Sequence, residues 1–351
     1  MKGSDPSFIY QNVKTLNIVK SNILSSFFEN IEDCKIIPFG SGLIHRTFFL
    51  QHVEGDFILQ NINHHIFKNP RDLMESIQMV GDHLRQNDYP KSTLNIKKTL
   101  AGNILLQTSE NEYWRIFDFI KDTQEFSKPE SEKQVYQTGK SFGEFLNYLK
   151  DLPIEKIKPS IPDFHNTRKR LENFEKAVQK DEFDRVKVSA QEIEQIRNWY
   201  FLVEDFEALN CPIRIIHADP KISNLLFDKN EKVKAVIDWD TIMPGYILHD
   251  FGDLVRTMTC KENEESTNFD QVKISSSYFE VLKKGFLEET ESWLTEVEKD
   301  NLLLGAQVII YEQAIRFLTD FLEGDKYYNT VYTDQNFNRA KNQIALLNSI
   351  L

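Results

Sequence analysis

The chain has 351 residues, of which 40% are apolar and 26 are phenylalanine, so it can bury a large core and is expected to form two lobes. A net charge of −12 and an isoelectric point near 5.3 argue against nucleic acid or an anionic membrane as the main partner. No basic and apolar leader opens the sequence and no apolar run suggests a membrane span, so a cytoplasmic protein is expected. Its three distant cysteines indicate neither a disulfide framework nor a zinc site.

The first third of the chain reads as short strands interrupted by helices. Helical spacing of apolar residues predicts a packing helix at 12–29 and a second helix at 70–86. Strands are predicted between 34 and 62 and again between 94 and 120. Together these segments indicate a small antiparallel sheet of five strands with one helix beside it.

A glycine-rich segment, Gly40, Ser41 and Gly42, separates the first two predicted strands. Glycine lets backbone N–H groups approach phosphate oxygens, because no Cβ blocks the positive φ angles that this requires. An ordinary hairpin loop explains the same residues about as well. The phosphate-binding interpretation rests on the position of this segment upstream of the polar motif described below.

The third predicted strand lacks a lysine that many kinases have. Gln60 occupies the place where such a lysine pairs with nucleotide phosphates and with a helix glutamate. Glu75 is the candidate for that glutamate, although a solvated helix carboxylate is an equally simple explanation. The missing charge would come from Arg46, Lys68 or Arg71, or phosphate charge would rest mainly on a metal ion and the glycine loop.

The last of these strands ends where a linker to a second lobe would fall. Phe119 and Lys121 lie there, and the backbone groups of residues 119–122 are candidates for pairing with a nucleotide base. We therefore expect a nucleotide-binding lobe at 1–120 and a larger, mainly helical lobe at 121–351, which together make an α+β protein.

The most informative stretch is 213–256. A short strand leads into His217, Asp219 and Asn224, and a hairpin then ends at Asp238. Phosphoryl transfer requires such groups, since one carboxylate orients the attacking hydroxyl while an amide and another carboxylate hold Mg²⁺ on the phosphates. The pattern predicts Asp219 as the base and Asn224 and Asp238 as metal ligands. His217 is expected to support the loop through hydrogen bonds.

A literal Asp-Phe-Gly triplet, Asp250–Gly252, could be mistaken for the metal-binding motif. It lies farther from Asn224 than one hairpin requires, and it follows a weaker strand pattern. We therefore assign the metal carboxylate to Asp238.

The remainder of the chain is predicted to be helical up to residue 322. Glu312, Arg316 and Asp320 are spaced four residues apart, which places them on one helix face. A local ladder of salt bridges explains this spacing. The functional alternative is that the polar face lines an acceptor pocket beside Asp219.

These motifs resemble the aminoglycoside phosphotransferase and choline kinase superfamily, whose members share a kinase-like two-lobe fold. Longer segments, including HADPKISNLLF, VIDWDTIMPGYILHDFGDLVR and EQAIRFLTDFLEGDKYY, are similar to the N-acetylhexosamine 1-kinase branch. The resemblance implies a kinase that uses ATP and Mg²⁺ to phosphorylate the anomeric hydroxyl of a sugar such as N-acetylglucosamine or N-acetylgalactosamine. It also implies four candidates for contacts with the sugar: Asp253, Glu312, Arg316 and Asp320.

Two alternatives remain open. The acceptor could be another small alcohol, such as choline, homoserine or an aminoglycoside. The chain could instead be a pseudokinase that binds nucleotide without turnover, which the uncharged Gln60 suggests and the intact Asp219, Asn224 and Asp238 oppose. The sequence is compatible with ATP or GTP, with either C4 epimer, and with a monomer or a homodimer.

Overall fold

A computed structural model of the chain describes residues 22–40 and 44–351. Contacts divide the chain into two compact units, Met1–Asp122 and Thr123–Leu351. Of the helix predicted at 12–29, residues 12–21 lie outside the described residues, and the described part contains a short 3₁₀ helix, Leu24–Ser26.

The first unit contains an antiparallel sheet. Its strands are β1 (Lys35–Pro38), β2 (Arg46–His52), β3 (Gly55–Ile62), β4 (Ile96–Lys97), β5 (Leu106–Gln107) and β6 (Tyr113–Asp118). They are arranged in the order β1-β2-β3-β6-β4, and β5 also pairs with β6. The prediction of five strands is wrong: among the described residues the sheet has six strands, because both β4 and β5 pair with β6 over two residues each.

One face of this sheet carries the core of the first unit. Alternation along the strands turns Phe48, Leu59 and Trp114 to this face, where Phe27 and Phe28 cover them. The opposite face carries the side chains at the alternate positions of each strand. Some of these side chains lie next to the helix that follows β3.

That helix, α1 (Pro70–Gln86), has the predicted bounds. Proline suits the first turn of a helix, because its missing N–H would have no intrahelical acceptor there. Its apolar stripe, which includes Leu73, Ile77 and Leu84, is buried. Local sequence signals therefore suffice to define α1.

The second unit is mainly helical. Its helices are α2 (Glu132–Leu149), α3 (Thr167–Lys180), α4 (Ala190–Asn198), α5 (Phe201–Ala208), α6 (Ile247–Met258), α7 (Ser276–Thr290), α8 (Glu296–Asp300), α9 (Leu302–Leu322) and α10 (Gln335–Asn348). Its short strands are β7 (Arg214–Ile216), β8 (Leu225–Phe227), β9 (Val233–Val236) and β10 (Met243–Gly245). The predicted hairpin is confirmed by the antiparallel pairing of β8 with β9, and β10 pairs with β7.

The central helix of this unit is α9, which packs against α3, α6 and α10. By length and composition it could cross a membrane, so the expectation that no run approaches that length is wrong. However, 67% of its most apolar window is buried inside the protein. Its apolar residues therefore belong to the core of the unit.

The sequence pattern predicted a weak strand before the Asp-Phe-Gly triplet, but the structure has helix α6 there. The triplet itself lies inside this helix. Glycines allow α6 and α9 to approach closely: a Cβ on Gly252 would lie 2.4 Å from the carbonyl oxygen of Gly305. A Cβ on Gly305 would in turn lie 2.6 Å from the carbonyl oxygen of Leu248. These contacts fix the position of the α6 side chains.

We expect Gly252→Ala to lower the free energy of unfolding by about 1–3 kcal/mol, because the methyl group can be accommodated only if the α6 and α9 backbones move apart. Gly81→Ala in α1 is the matched control, since its Cβ would meet only the mobile end of Arg85 and alanine favours a helix. Urea denaturation followed by circular dichroism measures both. Equal stability of Gly252→Ala and wild type would contradict the close helix contact.

Candidate active site

The predicted polar residues of the second unit are joined by hydrogen bonds. The N–H of Ile237 donates to the carbonyl of Asn224 at 2.9 Å, which ties the end of the β8–β9 hairpin to its beginning. Asn224 Nδ2 donates to the carbonyl of Asp219 at 2.8 Å. Asp238 follows Ile237 directly, so the three groups predicted as base and metal ligands are gathered in one small region.

The amide of Asn224 has a defined orientation. A backbone carbonyl can only accept a hydrogen bond, so the Nδ2 group must face Asp219 and Oδ1 points the other way. Asp238 has a φ of +61°, a conformation that asparagine and aspartate tolerate better than most residues. Buried Trp239 follows, with its indole N–H donating to the carbonyl of Val236 at 2.8 Å.

The oxygen atoms of Asn224 and Asp238 fit Mg²⁺, a hard cation that takes one or two protein ligands and leaves the other positions to phosphate and water. Within residues 22–40 and 44–351, no group of three or more histidine, cysteine, aspartate or glutamate side chains converges as a metal site. The donor set therefore suits a metal ion that arrives with a phosphate ligand.

Lys221 is a site residue that the sequence interpretation missed. Its Nζ lies 2.7 Å from Asp219 Oδ2. Burial raises the pKa of Asp219, but the positive charges around it, with Lys221 foremost, together lower it by more, so the pKa lies below its usual range. Asp219 is therefore ionised, as a proton acceptor must be. The sequence contains the signal for this residue, because Lys221 stands two residues after Asp219.

His217 lies beneath this loop, edge-on to Phe142. Its Nε2 donates to the carbonyl of Ile237 at 3.0 Å, and burial lowers the pKa of its imidazole. A neutral, buried imidazole with this partner fits the predicted supporting role and joins the loop to the strand that precedes Asp238.

Asp250 holds the backbone of the loop. Its Oδ2 accepts the N–H of His217 at 2.8 Å and its Oδ1 accepts the N–H of Ala218 at 2.7 Å. Ala218 has a φ of +65°, which glycine adopts freely and alanine adopts at a cost of about 1–2 kcal/mol. The two backbone donors lower the pKa of Asp250, but burial outweighs them and raises it to about 7. Asp250 thus anchors a strained turn and is not placed as a metal ligand.

Glu312 is hydrogen-bonded within the protein. It is buried, and its two oxygens contact Thr167 Oγ1 at 2.8 Å and His165 Nδ1 at 3.1 Å. His165 Nε2 contacts the carbonyl of Ala218 at 2.9 Å. Glu312 thus supports the loop next to Asp219 through His165, and its role as a sugar contact stays a prediction.

Asp320 is likewise occupied within the protein. It accepts the backbone N–H groups of Lys326, Tyr327 and Tyr328 at 2.9, 2.7 and 2.9 Å, and Asn336 Nδ2 at 2.8 Å. The carboxylate shapes the loop after α9, and its role as a sugar contact stays a prediction.

Arg316 remains a candidate for ligand contacts. Its guanidinium lies 5.6 Å from the ring of Phe164 and 5.7 Å from that of Tyr328. It lines a solvent-open groove of about 660 Å³ between α3 and α9, together with Arg170 and Lys176. Glu312, Arg316 and Asp320 have the four-residue spacing of the predicted salt-bridge ladder, but each side chain contacts different partners.

Asp253, the fourth sugar candidate, is also largely buried. Its Oδ1 lies 2.7 Å from Arg256 Nε, and its charge raises the pKa of Lys221. It therefore lies close to the loop that carries Asp219, with its charge partly neutralised.

In the first unit, the described candidates lie on or beside the sheet. Gly40 is exposed with a φ of +74°, whereas Ser41 and Gly42 lie outside the described residues. Phe119 contacts Phe49, with ring centroids 5.0 Å apart. Lys121 Nζ lies 2.7 Å from Asp56 Oδ2. Glu75 is exposed on α1.

The cations expected to replace the missing lysine are placed elsewhere. Arg46 lies over the ring of Trp114, on the core face of the sheet, and pairs with Glu112 at 2.6 Å. Arg71 is exposed and donates to Gln107 Oε1 at 3.1 Å. Lys68 is exposed as well. Neither arginine is directed at Gln60.

Residues 35–272 match the model of one protein family, described as a phosphotransferase enzyme family. The chain belongs to this family. As a member it is a small-molecule kinase, which confirms the predicted enzyme class.

Solved kinase structures resemble this phosphotransferase over nearly its whole length. An aminoglycoside phosphotransferase from Alicyclobacillus acidocaldarius has a TM-score of 0.61 at 11% identity, covering 93% of each chain. A microcompartment-associated aminopropanol kinase has a TM-score of 0.62 at 12% identity, covering 95% of this chain and 96% of that chain. The ethanolamine kinase of Plasmodium vivax has a TM-score of 0.56 at 12% identity, covering 98% and 95%.

These likenesses confirm the predicted fold class. The phosphotransferase has a kinase-like α+β fold with an antiparallel sheet in its N-terminal region and a helical C-terminal region. The predicted superfamily is confirmed at this level, and the N-acetylhexosamine branch stays a prediction.

We expect Asp250→Asn to lower kcat by about 10²-fold, because an amide can accept only one of the two backbone N–H groups and would turn a donor toward the other. Steady-state kinetics of the phosphotransferase measure this change. Asp270→Asn, at an exposed position, is the matched control and should keep wild-type kcat. Undiminished kcat in Asp250→Asn would show that the loop does not need this anchor.

A second prediction concerns pH and His165, which faces Glu312, His249 and Asp253. Burial lowers the pKa of His165, but Glu312 raises it by more, so the folded pKa lies above 6.5. The imidazolium therefore stabilises the fold below pH 6.5, and this contribution is lost as pH rises through the folded pKa.

We expect His165→Gln to cost about 3–5 kcal/mol of unfolding free energy at low pH, since it removes the cation that contacts the buried Glu312 carboxylate. The difference from wild type should shrink as pH rises through the folded pKa of His165. Denaturation curves between pH 5 and pH 9 measure it, with the exposed His65→Gln as a control of similar chemistry. A difference that is constant with pH would rule out an imidazolium at this position.

Proposed function

We propose that this phosphotransferase transfers the γ-phosphoryl group of ATP to the anomeric hydroxyl of an N-acetylhexosamine, with Mg²⁺ as the metal. One observation carries the proposal: an ionised Asp219 lies next to the amide of Asn224, and a hydrogen bond brings the start of the Asp238 turn to the same place. Family membership supports the reaction class. The choice of sugar is supported by the sequence segments that resemble the N-acetylhexosamine kinases.

The proposed chemistry uses Asp219 as the proton acceptor. Its carboxylate accepts a hydrogen bond from the sugar C1 hydroxyl and takes that proton as the oxygen bonds to phosphorus and the bond to ADP breaks. An anomeric hydroxyl is more acidic than an ordinary alcohol, so a carboxylate of low pKa is an adequate base. Most of the rate gain comes from alignment and charge neutralisation, because the transition state is loose.

Asn224 Oδ1 and Asp238 are the residues that would hold Mg²⁺, which neutralises phosphate charge when it is bound. Lys221 pairs with Asp219 in the structure described here. We infer that its ammonium group moves to the incoming γ-phosphate, which frees the carboxylate for the acceptor hydroxyl. His217 supports this loop without exchanging a proton.

The first unit is proposed to contribute nucleotide contacts, through Gly40, Ser41, Gly42, Gln60, Glu75, Phe119 and Lys121. The exposed backbone of Gly40 at positive φ suits an approach to phosphate oxygens. The ring of Phe119, at the end of β6, suits a contact with a purine base.

The charges near Arg316 favour a neutral acceptor. Three cations, Arg316, Arg170 and Lys176, line one groove against two carboxylates, Asp320 and Glu323, and Tyr328 adds an aromatic surface. Asp320 already accepts three backbone N–H groups, so positive charge prevails in the groove. Guanidinium groups donate hydrogen bonds to hydroxyl and acetamido oxygens, whereas they repel an ammonium group. We therefore rank an N-acetylhexosamine above choline, ethanolamine or an aminoglycoside, with Arg316 and Asp253 as the sugar-binding candidates.

We expect ATP turnover with N-acetylglucosamine or N-acetylgalactosamine, and no more than background turnover with choline, ethanolamine or kanamycin. Release of ADP over this panel measures turnover, and phosphorus NMR of the product locates the phosphate at C1. Turnover with an amine and none with either sugar would overturn the proposed acceptor.

Asp219→Asn should lower kcat by about 10²–10⁴-fold and leave ATP binding within the error of calorimetry, because the amide cannot take the proton. The exposed Asp205→Asn is the matched control and should match wild type in both. A fully active Asp219→Asn variant would remove Asp219 from the chemistry. ATP binding without turnover on any acceptor would instead favour a pseudokinase.

A further inference from the structure

Three polar residues form a row across the face of the first-unit sheet opposite its core. Thr47 on β2 is the cross-strand neighbour of Gln60 on β3, and Gln60 is the neighbour of Arg115 on β6. Arg115 Nε donates to Gln60 Oε1 at 2.9 Å, and Gln60 Nε2 donates to Thr47 Oγ1 at 3.1 Å. The place of the missing lysine is thus in direct contact with an arginine.

The contact with Arg115 fixes the orientation of the Gln60 amide. A guanidinium group has donors only, so the carbonyl oxygen of the amide must face Arg115 and the NH₂ group must face away. One of the two amide protons reaches Thr47. Gln60 is partly exposed, and the part of the chain that the structure describes offers no acceptor for the other proton. Gln60 therefore presents a donor, as a lysine would.

Arg115 also places a permanent positive charge behind that donor. It is only 2% exposed, so water screens its charge poorly. A hydrogen bond from a cation to the amide oxygen polarises the amide and makes its N–H groups stronger donors. The pair thus combines a fixed charge with a directed hydrogen bond.

The next row on the same face is apolar. Phe49, Ile58 and Phe117 are cross-strand neighbours, two positions along the strands from the polar row. Phe119 lies edge-on to Phe49, with centroids 5.0 Å apart, and Phe39 lies 6.0 Å from both rings. Two positions along a strand correspond to about 6.7 Å. This face of the sheet thus offers the apolar row to a flat base and the polar row to a charged group of the same ligand.

We propose that Arg115 and Gln60 together replace the strand-3 lysine: Gln60 donates its free amide proton to a nucleotide phosphate, and Arg115 acts as the positioning residue that orients and polarises the amide. The base lies toward the apolar row. This inference rests on the proposed function, since it requires that a nucleoside triphosphate binds.

The first test is Gln60→Glu, which changes no atom positions but replaces the donor by a carboxylate that pairs with Arg115. The Kd for ATP should rise about tenfold or more, because a hydrogen bond to a charged phosphate is lost. The Kd for adenosine should change less than about twofold, since adenosine carries no phosphate. Isothermal titration calorimetry measures both ligands, and thermal unfolding shows whether the variant is folded.

The second test separates charge from shape at position 115. Arg115→Met should weaken ATP binding selectively, as Gln60→Glu does, because the amide is then free to turn. Adding Gln60→Lys to Arg115→Met restores a cation on β3 and should recover ATP affinity to within about threefold of wild type. An arginine with a purely structural role would not be rescued in this way. Arg46→Met, on the core face of the same sheet, is the matched control.

The ratio of ATP affinity to adenosine affinity decides the outcome. An unchanged ratio in Gln60→Glu and Arg115→Met overturns the inference, whether or not the variants lose stability. A reduced ratio in both, with recovery in the double variant, supports it. Wild-type protein that binds no ATP would instead overturn the proposed function, so the two failures are distinguishable.

Discussion

The candidate active site depends on one carboxylate that lies behind the loop carrying Asp219. Asp250 accepts the N–H groups of His217 and Ala218, and these two bonds hold Ala218 at a φ that alanine avoids. The next residue is Asp219, so the direction of its side chain follows from this turn. Asp250 is held in turn by the close packing of Gly252 against Gly305. A glycine contact between two helices thereby determines where the Asp219 side chain points.

Two histidines also hold the loop that carries Asp219. His217 reaches the carbonyl of Ile237, the residue before Asp238, and His165 reaches the carbonyl of Ala218. His165 itself rests on Glu312 in the central helix of the second unit. These contacts join the elements that carry Asp219, Asn224 and Asp238 to the helical core. They also show that Glu312 holds the loop through His165.

Local sequence patterns predicted the helices and hairpins that local interactions determine. Helix α1 has its predicted bounds because Pro70 and an apolar stripe define it, and the hairpin leading to Asp238 follows from two apolar runs and a polar turn. Contacts between distant segments left no such pattern. The Gln60–Arg115 bond joins residues 55 positions apart, and periodicity alone could not assign Glu312 and Arg316 to different partners. Helix α6 was misread for another reason: residues 246–249 were taken as a strand, although Leu248, Phe251 and Val255 continue at helical spacing along Ile247–Met258.

The way positive charge is distributed has a consequence for catalysis. A lysine on β3 would meet the phosphates with a mobile, solvated ammonium group, whereas Arg115 is buried and acts through an amide. An amide N–H neutralises less phosphate charge than an ammonium group, so the proposed mechanism would assign more of that charge to Mg²⁺ and to Lys221. Lys221 is also the group that lowers the pKa of Asp219. Movement of this lysine toward the γ-phosphate would therefore raise the basicity of Asp219 at the moment when the acceptor proton has to leave. In a protein whose net charge is −12, that coupling allows a small number of cations to serve both binding and proton transfer.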